Sequence, residues 1–153
     1  MKKLFYLLIS LGLICWPTLG FAQSKSINCD SDPANDEAGW IIVSSQKDGT
    51  YQLTAGDIKT VSFESKTTAI QAEKIVQKLN GSGLNACVLD YLLEHPEMIP
   101  EAWKTKHVVF AGTIFKDAGG NRCVKALYFF DGSWSTKRVY LEEKYDDKIA
   151  AIK

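Results

Sequence analysis

Apolar and β-branched residues are concentrated between positions 107 and 141, where turn signals divide them into three segments. The first two segments cover residues 107–116 and 122–130, and the third covers residues 134–141. Residues rich in Val, Ile, Phe and Tyr suit a pleated, half-buried strand. The intervening turns contain Gly119-Gly120 and Asp131-Gly132, and Asp-Gly is a strong hairpin signal. The pattern predicts a C-terminal three-stranded antiparallel β-meander.

The distribution of polar and apolar side chains over the two faces differs between these three strands. The first two are apolar on both faces, so we expect helices to cover one face and aromatic side chains to cover part of the other. Alternation in the third strand places Val139 and Leu141 on one face. Its other face carries Trp134, Thr136, Arg138 and Tyr140. Adjacent basic residues, here Lys137 and Arg138, are typical of a sheet edge that resists pairing with other chains.

Helical periodicity occurs in two segments before the meander. In residues 68–80 the apolar positions recur with a spacing of three and four, after a Thr68–Gln71 capping box. In residues 85–94, Asn85 can cap a second apolar-faced helix, and Pro96 ends it. With the meander, these segments predict an α+β fold in which two helices pack on an antiparallel sheet.

The strands and the helix predicted outside the two helices and the meander are shorter. We expect a strand at residues 40–45, with residues 51–53 returning as its partner, and another strand at residues 58–64. Residues 146–153 carry spaced isoleucines and are interpreted as a short helix.

The N-terminus has the pattern of a bacterial signal peptide. Lys2 and Lys3 precede an apolar run, and Gly20-Phe21-Ala22 supplies a cleavage site with small residues. The run is too short for a comfortable membrane span, and we expect no stable membrane span to remain after cleavage. We therefore expect residues 1–22 to be a signal peptide, residues 23–39 a polar flexible leader and residues 40–153 a single α+β domain. The expected location is the periplasm or the extracellular medium.

Charge narrows the range of partners. Lys plus Arg and Asp plus Glu both number 18, and cleavage would remove two lysines and no acid. The chain therefore lacks the basic excess of a nucleic-acid-binding protein, and we expect no nucleic-acid partner.

Three cysteines remain beyond the signal peptide, namely Cys29, Cys87 and Cys123. An oxidising compartment favours disulfides, and an odd number allows one internal bridge at most. A bridge from Cys29 to one of the others would fix the leader, and the remaining thiol could link two copies as a disulfide dimer. The alternative is that Cys87 and Cys123 are both buried as small apolar residues.

Catalytic and metal-binding patterns are weak in this chain. The two histidines, His95 and His107, have no Cys pair or second His at ligand spacing. We therefore expect neither a metal nor a cofactor, and we assign no catalytic residue. The sharpest enzymatic hypothesis is a small secreted thiol-dependent enzyme that uses Cys87 or Cys123.

Aromatic side chains within the meander give the leading functional hypothesis. Core packing accounts for most aromatic residues in a small domain. Side chains left outside would form a surface for a protein, peptide or glycan partner. The candidate contact residues are Tyr128, Trp134, Arg138 and Tyr140. We expect a non-enzymatic binding module; the thiol-dependent enzyme and an exported inhibitor or virulence-associated factor are the alternatives.

A motif series from His95 onward resembles a pattern in small uncharacterised exported bacterial proteins. Its order is His-Pro-x-x-Ile-Pro, Trp-Lys, Gly-Thr-Ile, Asp-x-x-Gly and Leu-Tyr. The matching residues are His95, Pro96, Ile99, Pro100, Trp103, Lys104, Gly112, Thr113, Ile114, Asp117, Gly120, Leu127 and Tyr128. Those proteins have no assigned function. The resemblance implies a structural unit, with Pro100 and the Gly119-Gly120 turn as fold markers, and it implies no activity.

Overall fold

The secondary structure is that of a computed structural model, which describes residues 25–30, 32–33, 39–47, 49–53, 58–62, 70–145 and 148–152. The strands are β1 (Lys25–Asn28), β2 (Ile41–Ser45), β3 (Thr50–Leu53), β4 (Lys59–Ser62), β5 (Ile70–Gln71), β6 (His107–Lys116), β7 (Arg122–Phe130), β8 (Ser133–Tyr140), β9 (Lys144–Tyr145) and β10 (Lys148–Ile152). The helices are α1 (Ala72–Leu79) and α2 (Ala86–Glu94), and short 3-10 helices follow at Pro96–Met98 and Glu101–Trp103.

The predicted meander is confirmed. Strands β6, β7 and β8 are consecutive and antiparallel within a sheet whose order in the described residues is β4-β10-β6-β7-β8. Asp131 and Gly132 have φ values of 48° and 78°, as the tight hairpin turn requires. Strand β8 is the last in the order of the described strands, which agrees with its expected position at the sheet edge.

The two helices cover opposite faces of this sheet. Alternate residues of a strand point to opposite faces, and α1 packs on the face of Val109 and Val124. Helix α2 packs on the other face, against Val108, Phe110 and Leu127. The predicted α+β fold, with two helices packed against an antiparallel sheet, is therefore present, and β10 is the strand that runs parallel to its neighbour β6 among the described pairs. The expectation that both helices would lie on one face was wrong, because both apolar faces of β6 and β7 require a helix.

The predicted pairing of the N-terminal strands was wrong. Strand β3 pairs with β1, and β2 pairs with the C-terminal half of β6. Strand β1 lies within residues 23–39, and the sequence did not predict it. Its Ile27 is buried together with Leu53 of β3 in the core formed by α2. The apolar β2 instead pairs with β6 at residues 113–116, whereas β10 pairs with β6 at residues 107–109.

Two helix predictions also need correction. Helix α1 begins at Ala72, because Ile70 and Gln71 form β5 and pair with β9. Thr68 and the signal peptide lie outside the described residues. The predicted C-terminal helix is the strand β10, which pairs with β4 and β6. A helix of that length is marginal in water, whereas the strand gains hydrogen bonds on both sides.

A disulfide joins Cys29, just after β1, to Cys87 in α2, with a Cα–Cα distance of 5.7 Å. This confirms an internal bridge that includes Cys29. Cys123 lies outside the bridge and is fully buried in β7. The bridge ties the small sheet of β1 and β3 to the helix that packs on the main sheet.

A buried polar cluster positions the start of α2. The Asn85 side chain caps the helix by accepting a hydrogen bond from the Cys87 N–H at 2.8 Å. Thr113 of β6 donates to the same Asn85 oxygen at 3.1 Å and accepts from the Ala86 N–H. Gly112 allows the close approach, since a Cβ there would collide with the Gly83 carbonyl oxygen.

In the part of the chain that is described, no helix is long and apolar enough to span a membrane.

Candidate binding site

Three of the four predicted contact residues lie together on one face of β8. Trp134, Arg138 and Tyr140 alternate with residues on the opposite face, and Thr136 lies between them. We call Trp134, Thr136, Arg138 and Tyr140 the β8 strip. All four are half-buried. The fourth predicted residue, Tyr128, is opposite Ser135 in the β7–β8 register, so its side chain belongs to the other face of the sheet.

Arg138 is the centre of the strip. Its guanidinium carbon lies 3.7 Å from the ring centre of Trp40, within the range of a strong cation–π contact. The Trp40 ring is also 6.3 Å from that of Tyr140. Trp40 immediately precedes β2, and the sequence analysis did not assign it to the site. No local pattern places it there, because only the tertiary fold brings residues 40 and 138 together.

Lys125 lies directly across from Arg138 on β7. Like charges at directly opposed positions destabilise a sheet. Here the Lys125 ammonium is 3.2 Å from a carboxylate oxygen of Asp90 on α2. Lys125 is only 4% exposed, so this ion pair compensates a charge that would be costly to bury alone. The pair also fixes the position of α2 beside the β8 strip.

Trp134 forms the other end of the strip. Its ring meets the ring of Phe129 edge to face, with 5.1 Å between the centres. The ammonium of Lys104 lies 4.8 Å from the Phe129 ring centre. This end therefore combines aromatic surface with a basic group, as the Arg138 end does.

A cleft of about 290 Å³ lies at the Tyr140 end. Its lining residues are Asn121, Tyr140, Glu142 and Glu143. Burial, and next the charge of Asp117, raise the pKa of the Tyr140 phenol above its ordinary value, so the phenol keeps its proton at neutral pH. Tyr140 can therefore donate a hydrogen bond into the cleft, while the two glutamates can accept.

Tyr128 belongs to a separate patch on the opposite face. The rings of His107 and Tyr128 meet edge to face at 5.8 Å. The Lys137 ammonium lies 5.7 Å from the Tyr128 ring centre. Tyr128 is half-buried in these contacts, and it cannot share a small ligand with the β8 strip through the thickness of the sheet.

The cysteines and histidines are dispersed. Cys87 is in the disulfide, so thiol chemistry at this residue would first require reduction. Cys123 is opposite Phe115 in the β6–β7 register, about 25 Å along the strand from His107 at a normal residue rise. Since Cys123 is buried, a disulfide between two copies through it would require the sheet to open. No group of three or more His, Cys, Asp or Glu residues in the described segments could hold a metal ion.

Comparisons of the chain with protein families, with curated proteins and with solved structures found no match. The functional argument therefore rests on the contacts and charges of the site.

Proposed function

We propose that the protein is a small exported bacterial binding module and that the β8 strip is its contact surface. The observation that carries this proposal is the stacking of Arg138 on Trp40 at 3.7 Å, beside the half-exposed Tyr140 and in line with Trp134. Aromatic residues and arginine are enriched at protein interfaces, where they supply most of the binding energy. Stacking holds the guanidinium in place while the outer surface of the strip can meet a partner.

Two features support export to the periplasm or the medium. The N-terminal residues have the charge and apolar pattern of a signal peptide. The Cys29–Cys87 disulfide would persist in an oxidising compartment and would be reduced in the cytosol. The proposed partner is therefore a protein, peptide or glycan that occurs outside the cytoplasm.

A photo-cross-linking side chain in place of Thr136 tests the proposal in living bacteria. The full chain is expressed with its own N-terminus, irradiated in cells, and recovered from separated periplasm, medium and cytoplasm. We expect an exported protein with an adduct of defined mass at Thr136. The same cross-linker in place of Lys74, an exposed residue of α1, is the matched control and should give no such adduct.

The added substitution Arg138→Gln should abolish the adduct while leaving the circular dichroism spectrum unchanged. The proposal fails if the chain stays in the cytoplasm, if the Thr136 position gives no adduct, or if the Lys74 position gives the same one.

A further inference from the structure

The chain leaves α1 through a tight turn at residues 79–82. The Ser82 N–H donates to the Leu79 carbonyl at 2.8 Å, and the two residues between them, Asn80 and Gly81, have φ values of 41° and 83°. Glycine and asparagine are the residues that adopt this left-handed conformation most readily. Asn80, Gly81 and Ser82 are all exposed. The turn therefore presents an Asn-Gly pair to water.

An asparagine followed by glycine can react with its own backbone. The nitrogen of the glycine attacks the side-chain amide carbon, a cyclic succinimide forms, and the amide nitrogen leaves as ammonia with the proton of the attacking nitrogen. Water then opens the ring at either carbonyl. One opening gives aspartate, and the other gives isoaspartate, in which the side-chain carbon has entered the main chain. Glycine favours the attack because it has no Cβ to obstruct its nitrogen and its backbone is the least restricted.

Two of the other described asparagines are followed by a backbone nitrogen that is already engaged. Asn85 is fully buried, and the nitrogen after it donates to the Thr113 hydroxyl at 3.1 Å. Asn28 is exposed, but the nitrogen after it donates to the Gly49 carbonyl at 2.9 Å. Attack at either position would first have to break a hydrogen bond of the fold.

The side chain of Asn121 is held instead. Its amide nitrogen donates to the Asp117 carboxylate at 3.0 Å, and the next residue is an arginine. Within the described part of the chain, the side chain of Asn80 makes no such hydrogen bond. Asn80 therefore differs from the other three described asparagines in combining an exposed, unheld amide with a following glycine.

We propose that Asn80 is a self-modification site of the folded protein, at which attack by the Gly81 nitrogen yields aspartate and isoaspartate. The reaction consumes water, releases ammonia and needs no other reagent. It is independent of the β8 strip and of the partner proposed for it. Both products add a carboxylate at the C-terminal end of α1, where the last carbonyls already carry partial negative charge.

The chain after the turn cannot absorb the carbon that isoaspartate adds to the backbone. The Leu84 N–H donates to the Ala151 carbonyl of β10 at 3.2 Å, and the Leu84 carbonyl accepts from the Gly112 N–H of β6 at 2.9 Å. The added length therefore falls on the turn itself and opposes the hydrogen bond from Ser82 to Leu79. The modification should loosen the C-terminal end of α1 while the sheet stays intact.

Ageing of the purified full chain in warm, mildly alkaline buffer, followed by peptide mass spectrometry, tests the proposal without any substitution. Asn80 should lose its amide at least about tenfold faster than Asn85, whose reaction requires the core to open. It should also react faster than Asn28 and Asn121. Electron-transfer fragmentation, which distinguishes isoaspartate from aspartate, should find both at position 80. In the aged protein, amide hydrogen exchange at Ser82 should be at least about tenfold faster than in fresh protein.

Matched variants separate the chemistry from the strain of the turn. Gly81→Ala obstructs the attacking nitrogen and should slow the reaction at Asn80. Gly132→Ala places the same side chain at a similar φ of 78° in the β7–β8 turn, and it should leave that rate unchanged. Asn80→Asp carries the charge without the added carbon, so it should speed exchange at Ser82 less than ageing does.

An unchanged Asn80 amide would overturn the proposal, and so would equal rates at Asn80, Asn28 and Asn121. Loss of the Asn80 amide in denaturant alone would also overturn it, since the folded turn would then prevent the attack. Unchanged exchange at Ser82 in protein that has reacted at Asn80 would overturn the loosening of α1. The comparison of asparagines within the wild-type chain keeps its force even if a glycine variant fails to fold.

Discussion

Removal of the Cys29–Cys87 disulfide should destabilise the folded protein strongly. The bridge joins residues separated by 58 positions. Loop-closure entropy for a loop of that length corresponds to about 4 kcal/mol at 25 °C, and measured values are commonly about 2–4 kcal/mol. We choose alanine for both positions because Cys29 is fully buried and a serine there would bury a hydroxyl at additional cost. The expected loss is a large part of the about 5–15 kcal/mol that stabilises a typical domain.

Urea unfolding followed by tryptophan fluorescence measures this loss, since the buried Trp103 becomes exposed on unfolding. The midpoint should fall by an amount equivalent to about 2–4 kcal/mol. Reductant provides the matched control. It should lower the stability of the wild-type protein to that of the double alanine variant, and it should not affect the variant.

Alkylation under denaturing, non-reducing conditions checks the chemistry independently, because only Cys123 of the exported chain should react. A double variant within about 1 kcal/mol of the wild type would refute the entropic argument. Reaction of all three cysteines would show that the bridge is not formed in the purified protein, and it would remove one support for the proposed export.

Two further predictions concern the polar contacts of the fold. Thr113→Val should cost about 1–3 kcal/mol in urea unfolding, because the Ala86 N–H loses its buried acceptor; Thr105→Val, at an exposed position, should have no comparable effect, and equal losses would contradict the assignment. The pKa of Asp117 lies below the ordinary 3.8, and the largest cause is the hydrogen bond that the Asn121 side chain donates to the carboxylate. This hydrogen bond therefore stabilises the folded turn above pH 3.8, and the stabilisation is lost as the pH falls through the lowered pKa. An NMR titration should show a higher Asp117 pKa in Asn121→Ala, and an unchanged pKa would exclude this cause.

Local signals explain why the C-terminal part of the fold was predictable. The Asp131-Gly132 turn defines a hairpin without information from other segments, and Asn85 marks the start of α2 by its own capping hydrogen bond. Strands β2 and β10 both pair with β6, on the edge that faces away from β7. Strand β10 pairs with its first residues and β2 with its last. Such pairings depend on which strand edge, distant in sequence, is still unpaired. Hydrophobic alternation within a short segment does not indicate its partner strand.

The site was predictable to the extent that it follows strand alternation. Trp134, Arg138 and Tyr140 share a face because they are separated by even numbers of residues. The sheet face on which Tyr128 lies could also be predicted from the sequence. A two-residue turn pairs Phe130 with Ser133 and therefore pairs Tyr128 with Ser135, whose side chain lies on the face opposite to the β8 strip. Trp40 could not be found in this way, because its contact with Arg138 depends on where β2 docks on β6.

The position of α2 explains why the β8 strip is only half-covered. Three side chains at or near the start and middle of this helix anchor it, and each binds a different element. Cys87 is bonded to Cys29 beyond β1, Asn85 is hydrogen-bonded to Thr113 of β6, and Asp90 pairs with Lys125 of β7. The Asn85 and Asp90 anchors hold the helix over β6 and β7, and the disulfide ties it to the small sheet of β1 and β3, so the helix cannot move outward to bury the face of β8. An apolar helix contact alone could slide to cover more surface, whereas a covalent bond, a buried amide and a buried ion pair fix the position of the helix. The half-exposure of the β8 strip is therefore a consequence of how α2 is held, and weakening an anchor should alter the binding surface before it unfolds the sheet.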